Sequence, residues 1–117
     1  MKKLFFNLKN SLNGLKVMLC EHSFIVELLC GVILVPYIFY ANFDNIYKLI
    51  IILIYILLLV FEIMNTAIEK ICDKITKKYD KDIKVIKDIS SASVFTTLIL
   101  LIIVIITTEF YYGDLFS

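Results

Sequence analysis

Four polar side chains stand out in the stretch Phe61-Glu62-Ile63-Met64-Asn65-Thr66-Ala67-Ile68-Glu69-Lys70-Ile71-Cys72-Asp73. Placed on a helix, Glu62, Asn65, Glu69 and Asp73 span an arc of only about 80°. Carboxylates and an amide thus line one side of an otherwise greasy segment. Ionisable groups in an apolar helix are costly and face a bundle interior or a wet cavity. A single Glu near a helix end can snorkel to water; a stripe of four marks a functional site. A second acidic pair, Glu21 and Glu27, flanks the start of the first apolar run. Carboxylates that converge at one depth repel unless they are protonated or bridged by a cation. A hard divalent ion such as Mg²⁺, which takes oxygen ligands, is a natural bridge. A third group, Lys87-Asp88-Ile89-Ser90-Ser91-Ala92-Ser93, opens the last apolar run. A lysine there can hold a phosphate, and a helix N-terminus adds anion affinity through its free N–H groups. Capping of that helix by Asp88 or Ser90 is the structural use of the same residues. Carboxylates, a bridging cation and a lysine at a membrane surface point to phosphoryl transfer. A nucleotide loop of the soluble kind is absent. No GxxxxGK[ST] occurs, and the only glycines are Gly14, Gly31 and Gly113.

The elements that must position these groups are helices in lipid. Hydrophobic residues make up 61% of the 117-residue chain, against about 45–50% in ordinary globular proteins. One domain of this size has too little interior to hide so much apolar surface from water. A net charge of +1 argues against bulk attraction of nucleic acid. Three spans are long enough to cross a bilayer: about 24–40, 47–68 and 92–108. Ahead of them, residues 3–19 place Leu4, Phe5, Leu8, Leu12, Leu15 and Leu19 within one arc of about 100°, flanked by Lys2, Lys9 and Lys16. This pattern predicts an amphipathic helix lying in the membrane interface. The segment lacks the uninterrupted apolar core of a signal peptide and reads as part of the mature protein. Cys20, Cys30 and Cys72 have no disulfide spacing, and Cys30 reads as a small core residue.

Seven of the twelve lysines fall in residues 70–88 and four more precede the first span. The positive-inside bias therefore places the N-terminus and a 70–88 loop in the cytoplasm. The turn at 41–46 and Glu109–Ser117 fall outside, where Tyr37, Phe39, Tyr40, Phe43, Tyr47, Phe110, Tyr111 and Tyr112 form an aromatic belt.

The segment Glu62-Ile-Met-Asn65-Thr-Ala-Ile-Glu69, followed by Asp73, Lys87-Asp88 and Ser91-Ala92, resembles the signature of the small prokaryotic diacylglycerol kinases. The resemblance extends to Asn10-Ser11-Leu12-Asn13-Gly14-Leu15 and to Glu21-His22-Ser23-Phe24-Ile25-Val26-Glu27, so it covers nearly the whole chain. It implies an all-α membrane protein: a surface helix plus three transmembrane helices per subunit, in a homotrimer with active sites shared between neighbours. The implied reaction is Mg²⁺-dependent transfer of the ATP γ-phosphate to the hydroxyl of diacylglycerol, giving phosphatidic acid, in the bacterial inner membrane. By the resemblance, Glu62 is the general base and Asn65 orients the cluster. Glu21 and Glu69 hold the metal on the ATP phosphates. Lys87 and Asp88 belong to the nucleotide site, with Lys87 on phosphate. Ser11, Glu27 and Ser91 lie along the lipid site.

The sequence departs from the family pattern in places. Ile25 stands where Arg is common, the interval from Gly14 to Glu21 is one residue short, and the common Gly-Ser-Ala-Ala stretch reads Ser90-Ser91-Ala92-Ser93. These differences bear on lipid contacts and rate more than on the chemistry. Relatives that prefer undecaprenol tend to carry His at the position of Glu27, which favours diacylglycerol over undecaprenol here. A small proton-coupled transporter using Glu27 or Glu62 is the reading from another class. It predicts internal repeats that are not visible and leaves Lys87-Asp88 unexplained. A non-enzymatic membrane subunit is the remaining alternative.

Overall fold

The computed structural model describes residues 1–112 as four helices: α1 (Lys2–Met18), α2 (His22–Tyr40), α3 (Asn45–Ile75) and α4 (Lys81–Tyr112). No strand occurs among the described residues. The helices α2, α3 and α4 are each long and apolar enough to cross a membrane. Their outward faces carry exposed Leu29, Val32, Leu53 and Phe95, at 55–69% exposure. An apolar face of that extent belongs against lipid rather than water.

α3 and α4 form the main packing unit. Buried residues on α3 recur at intervals of three and four: Ile51, Tyr55, Leu58, Glu62 and Asn65. On α4, Ser90, Thr97, Leu101 and Thr108 are buried, with Val94 and Val104 partly buried between them. This is the period that lets two antiparallel helices interdigitate along one seam. Tyr47 meets Tyr112 at one end, Asn65 meets Ser90 midway, and Asp73 meets Lys87 near the other end. α2 runs antiparallel to α3 and is tied to it by the Tyr55 hydroxyl, which donates to the Glu27 carbonyl at 2.7 Å. Gly31 permits that approach, because a Cβ there would lie 2.0 Å from the Tyr55 hydroxyl oxygen.

The helices extend past the spans expected from hydropathy. α3 continues to Ile75, and α4 begins at Lys81, well before residue 92. The 70–88 segment is therefore mostly helix, interrupted only at residues 76–80. At 31 and 32 residues, α3 and α4 are each about 45–50 Å long, whereas a hydrocarbon core is about 30 Å thick. Lys and Glu are good helix formers, so the helices continue after the apolar run stops. Asp80 caps α4, its Oδ1 accepting from the N–H groups of Asp82 and Ile83 at 2.9 and 3.1 Å. The expectation that Asp88 or Ser90 caps this helix is thus corrected. Lys87 lies within the helix and gains nothing from a helix N-terminus.

Residues of α1 other than Met18 are exposed, including Leu4, Leu8 and Leu12. The rings of Tyr37, Phe43, Tyr47, Tyr111 and Tyr112 cluster with centroids 5.0–6.3 Å apart. The remainder of the expected outer tail, residues 113–117, lies outside the described residues. The cysteines are free, but Cys30 is exposed and Cys72 is the buried one. An apolar run does not say which way each residue turns, and Cys30 faces a cleft rather than the core.

Candidate active site

Two clefts meet at Glu27. The polar one, about 400 Å³, lies between the start of α2, the middle of α3 and α4. α3 supplies its floor. Glu62 and Asn65 continue the inward stripe of Ile51, Tyr55 and Leu58, and are only 6% and 7% exposed. One turn further on, Glu69 is exposed at the rim and accepts from the Asn65 side-chain amide at 3.1 Å. The Asn65 side-chain carbonyl in turn accepts from the Ser90 hydroxyl at 2.8 Å. Buried polar groups are costly unless hydrogen-bonded, and this chain satisfies both faces of the amide.

α2 supplies the opposite wall. Glu21 immediately precedes its first turn, and its side chain makes no capping bond to the helix. The carboxylate pairs instead with Lys70 at 3.1 Å. The Glu27 carboxyl faces that of Glu62 within hydrogen-bonding reach. Among the described residues no donor group reaches the buried Oε2 of Glu27. Ser91 lines the cleft from α4.

The second cleft, about 320 Å³, starts at Glu27 and runs away from the polar one. Its walls are Ile33, Leu34, Leu58, Leu98, Leu101 and Ile105, with Tyr37 and Tyr55. Glu27 therefore stands on the wall between a polar chamber and an apolar one. A ligand with a hydroxyl at one end and a hydrocarbon chain at the other matches that change of lining.

Of the residues singled out in the sequence, Glu21, Glu27, Glu62, Asn65, Glu69 and Ser91 line the polar cleft together. Lys87, Asp88 and Ser11 do not line it. Lys87 pairs with Asp73 at 2.7 Å, bridging α3 and α4, and Asp88 pairs with Lys84 at 2.7 Å along α4. Ser11 lies on exposed α1, its hydroxyl donating to the Asn7 carbonyl at 2.9 Å. Sequence reasoning missed Ser90 as a partner of Asn65. The signal was available: Ser90 falls in the same 3–4 stripe as Thr97 and Leu101. It also missed Tyr55, whose bond to α2 joins residues 28 positions apart.

The donor set suits a hard cation held jointly with a substrate. Among the described residues no three His, Cys, Asp or Glu side chains converge as a self-sufficient metal site. Mg²⁺ does not require one, since it keeps waters and is commonly held by one or two carboxylates plus substrate phosphates. Glu21 and Glu69 both line the cleft and offer such oxygens.

A search among curated proteins finds no match. The family model for prokaryotic diacylglycerol kinase matches residues 9–108. That range takes in the end of α1, the whole of α2 and α3, and all the cleft residues of α4. With the acidic cleft, the buried Glu62–Asn65 stripe, all of α2 and α3 and most of α4 inside the matched range, the chain belongs to the prokaryotic diacylglycerol kinase family, a family of lipid kinases.

Proposed function

We propose that the protein transfers the γ-phosphate of ATP to the hydroxyl of diacylglycerol, with Mg²⁺, and so makes phosphatidic acid for phospholipid recycling. The observation that carries this reading is that Glu27 lines both a polar cleft over buried Glu62 and a neighbouring apolar one. An acyl chain in the apolar cleft would bring its glycerol hydroxyl to Glu27 and Glu62. The family match favours this reading over a proton-coupled transporter.

In this mechanism Glu62 accepts the hydroxyl proton. The hydroxyl oxygen bonds to the γ-phosphorus as the bond from that phosphorus to the β–γ bridging oxygen breaks, and ADP leaves. Burial of Glu62 keeps competing water from the attacking position. Asn65 holds Glu69 in place, and Glu21 and Glu69 would bind Mg²⁺ on the phosphates once Glu21 exchanges Lys70 for the ion. Mg²⁺, when bound, neutralises charge that builds on the phosphate oxygens. Lys87 and Asp88, one turn before Ser91 on α4, contact the nucleotide, and Lys87 exchanges Asp73 for a phosphate. Glu27, Ser91 and Ser11 line the lipid path. The active assembly is a homotrimer in the bacterial inner membrane. Its N-terminus and the lysine-rich 70–88 segment face the cytoplasm. α1 lies on the membrane surface with its leucines in lipid.

The test is transfer from labelled ATP in mixed micelles with Mg²⁺, with diacylglycerol and undecaprenol offered separately. Phosphorylation of diacylglycerol is expected. Preference for undecaprenol would keep the residues' roles and move the product to cell-wall lipid recycling. No transfer to either lipid by folded protein would sink the kinase reading.

A further inference from the structure

The hydroxyls along the inner stripe of α4 do not behave alike. Ser93 and Thr97 donate to their own helix, to the Ser90 and Ser93 carbonyls at 2.6 and 2.9 Å. That is the usual local outlet for a hydroxyl in a helix. Ser90 instead reaches across to α3 and donates to the Asn65 side-chain carbonyl at 2.8 Å. Both residues are 7% exposed.

The orientation of Asn65 follows from what each neighbour can offer. A carboxylate only accepts, so the Asn65 amide nitrogen must face Glu69, which it does at 3.1 Å. The amide oxygen is then left facing α4 in a buried seam, where it needs a donor. Ser90 supplies it. Without that hydroxyl the amide has a buried, unpaired acceptor and no reason to keep its rotamer. Glu69 would lose the donor that fixes one of its two oxygens.

We infer that Ser90 is a positioning residue for the cation site: through Asn65 it holds the Glu69 carboxylate by one oxygen and keeps the other for the divalent ion. This rests on the kinase reading above, in which Glu69 carries Mg²⁺. Partners that orient metal ligands commonly matter 10–100-fold to affinity or activity. Ser90→Ala should therefore weaken divalent binding by roughly tenfold, and Ser90→Thr, which keeps the hydroxyl, should stay close to wild type.

The experiment uses the full-length protein in nanodiscs with a non-hydrolysable ATP analogue. Mn²⁺ binding is followed by electron paramagnetic resonance, and thermal melting and the Mg²⁺ dependence of transfer are measured alongside. Ser90→Ala is expected to bind Mn²⁺ less tightly and to need correspondingly more Mg²⁺, with kcat at saturating Mg²⁺ affected less. Unchanged Mn²⁺ binding in Ser90→Ala would overturn the inference while leaving the kinase reading in place. Equal losses in Ser90→Ala and Ser90→Thr, matched by equal drops in melting temperature, would reduce Ser90 to a packing residue. A folded wild type that neither binds Mn²⁺ nor transfers phosphate would overturn both.

Discussion

The two ends of the α3–α4 seam share one spacing and hold opposite contents. At one end the rings of Tyr47 and Tyr112 pack across the helices with centroids 5.6 Å apart, and the exposed Tyr111 ring lies against both at 5.0–6.3 Å. Toward the other, the same stripe presents Glu62, Asn65 and Ser90, buried to 6–7% exposure. Ring packing asks only for volume and tolerable geometry. The polar end asks for a partner on each donor and acceptor, and an amide with one side unmet is worse than an apolar residue. The spacing decides which residues turn inward. Residue type decides whether the interior there serves stability or chemistry.

This contrast can be broken from either end. The largest effect is expected for Glu62→Gln, which removes the proposed base and should cut lipid phosphorylation by roughly 10²–10⁴-fold. The melting temperature should stay near wild type. Retained turnover in labelled-ATP assays would remove Glu62 from the chemistry. Next comes Glu69→Gln, expected to raise the Mg²⁺ requirement by about 10–100-fold; an unaltered Mg²⁺ titration would take Glu69 out of the metal site. Gly31→Ala tests the region between the two ends. The added Cβ collides with the Tyr55 hydroxyl oxygen at 2.0 Å, and overpacking of this kind costs about 1–3 kcal/mol. Detergent melting should show the loss, and a matched Gly14→Ala control, with no atom within 4 Å of its added Cβ, should not. The smallest effect is Tyr112→Leu, which gives up ring pairing worth about 0.5–1.5 kcal/mol. It should lower melting while leaving transfer per folded molecule unchanged; a loss of turnover there would erase the distinction between the two ends.

Much of the membrane architecture was legible because lipid imposes a simple rule. Apolar runs of sufficient length must span, and they do so here as helices. The stripe of Glu62, Asn65, Glu69 and Asp73 was legible for a related reason, since 3.6-residue periodicity puts them on one face, although Asp73 pairs with Lys87 and does not line the cleft. Helix ends were not legible. Hydropathy marks where the lipid-compatible run stops, and Lys70–Ile75 and Lys81–Asp88 continue as helix beyond it. The start of α4 rests on Asp80, a capping signal in a lysine-rich segment whose hydropathy predicts a loop. The rotation of each helix was hidden as well. It decides that Cys30 faces a cleft and Cys72 the interior, and that Ser90 answers Asn65 rather than capping a helix. Those facts depend on contacts between elements, which a one-dimensional pattern does not encode.

The fastenings of α2 differ in kind along its length. Its middle is pinned to α3 by a neutral hydroxyl-to-carbonyl bond from Tyr55 at 2.7 Å, seated where Gly31 lets the two helices close up. Its leading edge combines the buried Phe24 ring with the Glu21–Lys70 ion pair, whose side chains are 34% and 57% exposed. Dissolved salt weakens an exposed ion pair and leaves a part-buried neutral bond nearly untouched. Raising ionic strength therefore loosens the mouth of the polar chamber before it loosens the fold. Amide hydrogen exchange should quicken first in residues 22–26, making that short stretch a built-in reporter of how tightly the chamber is shut.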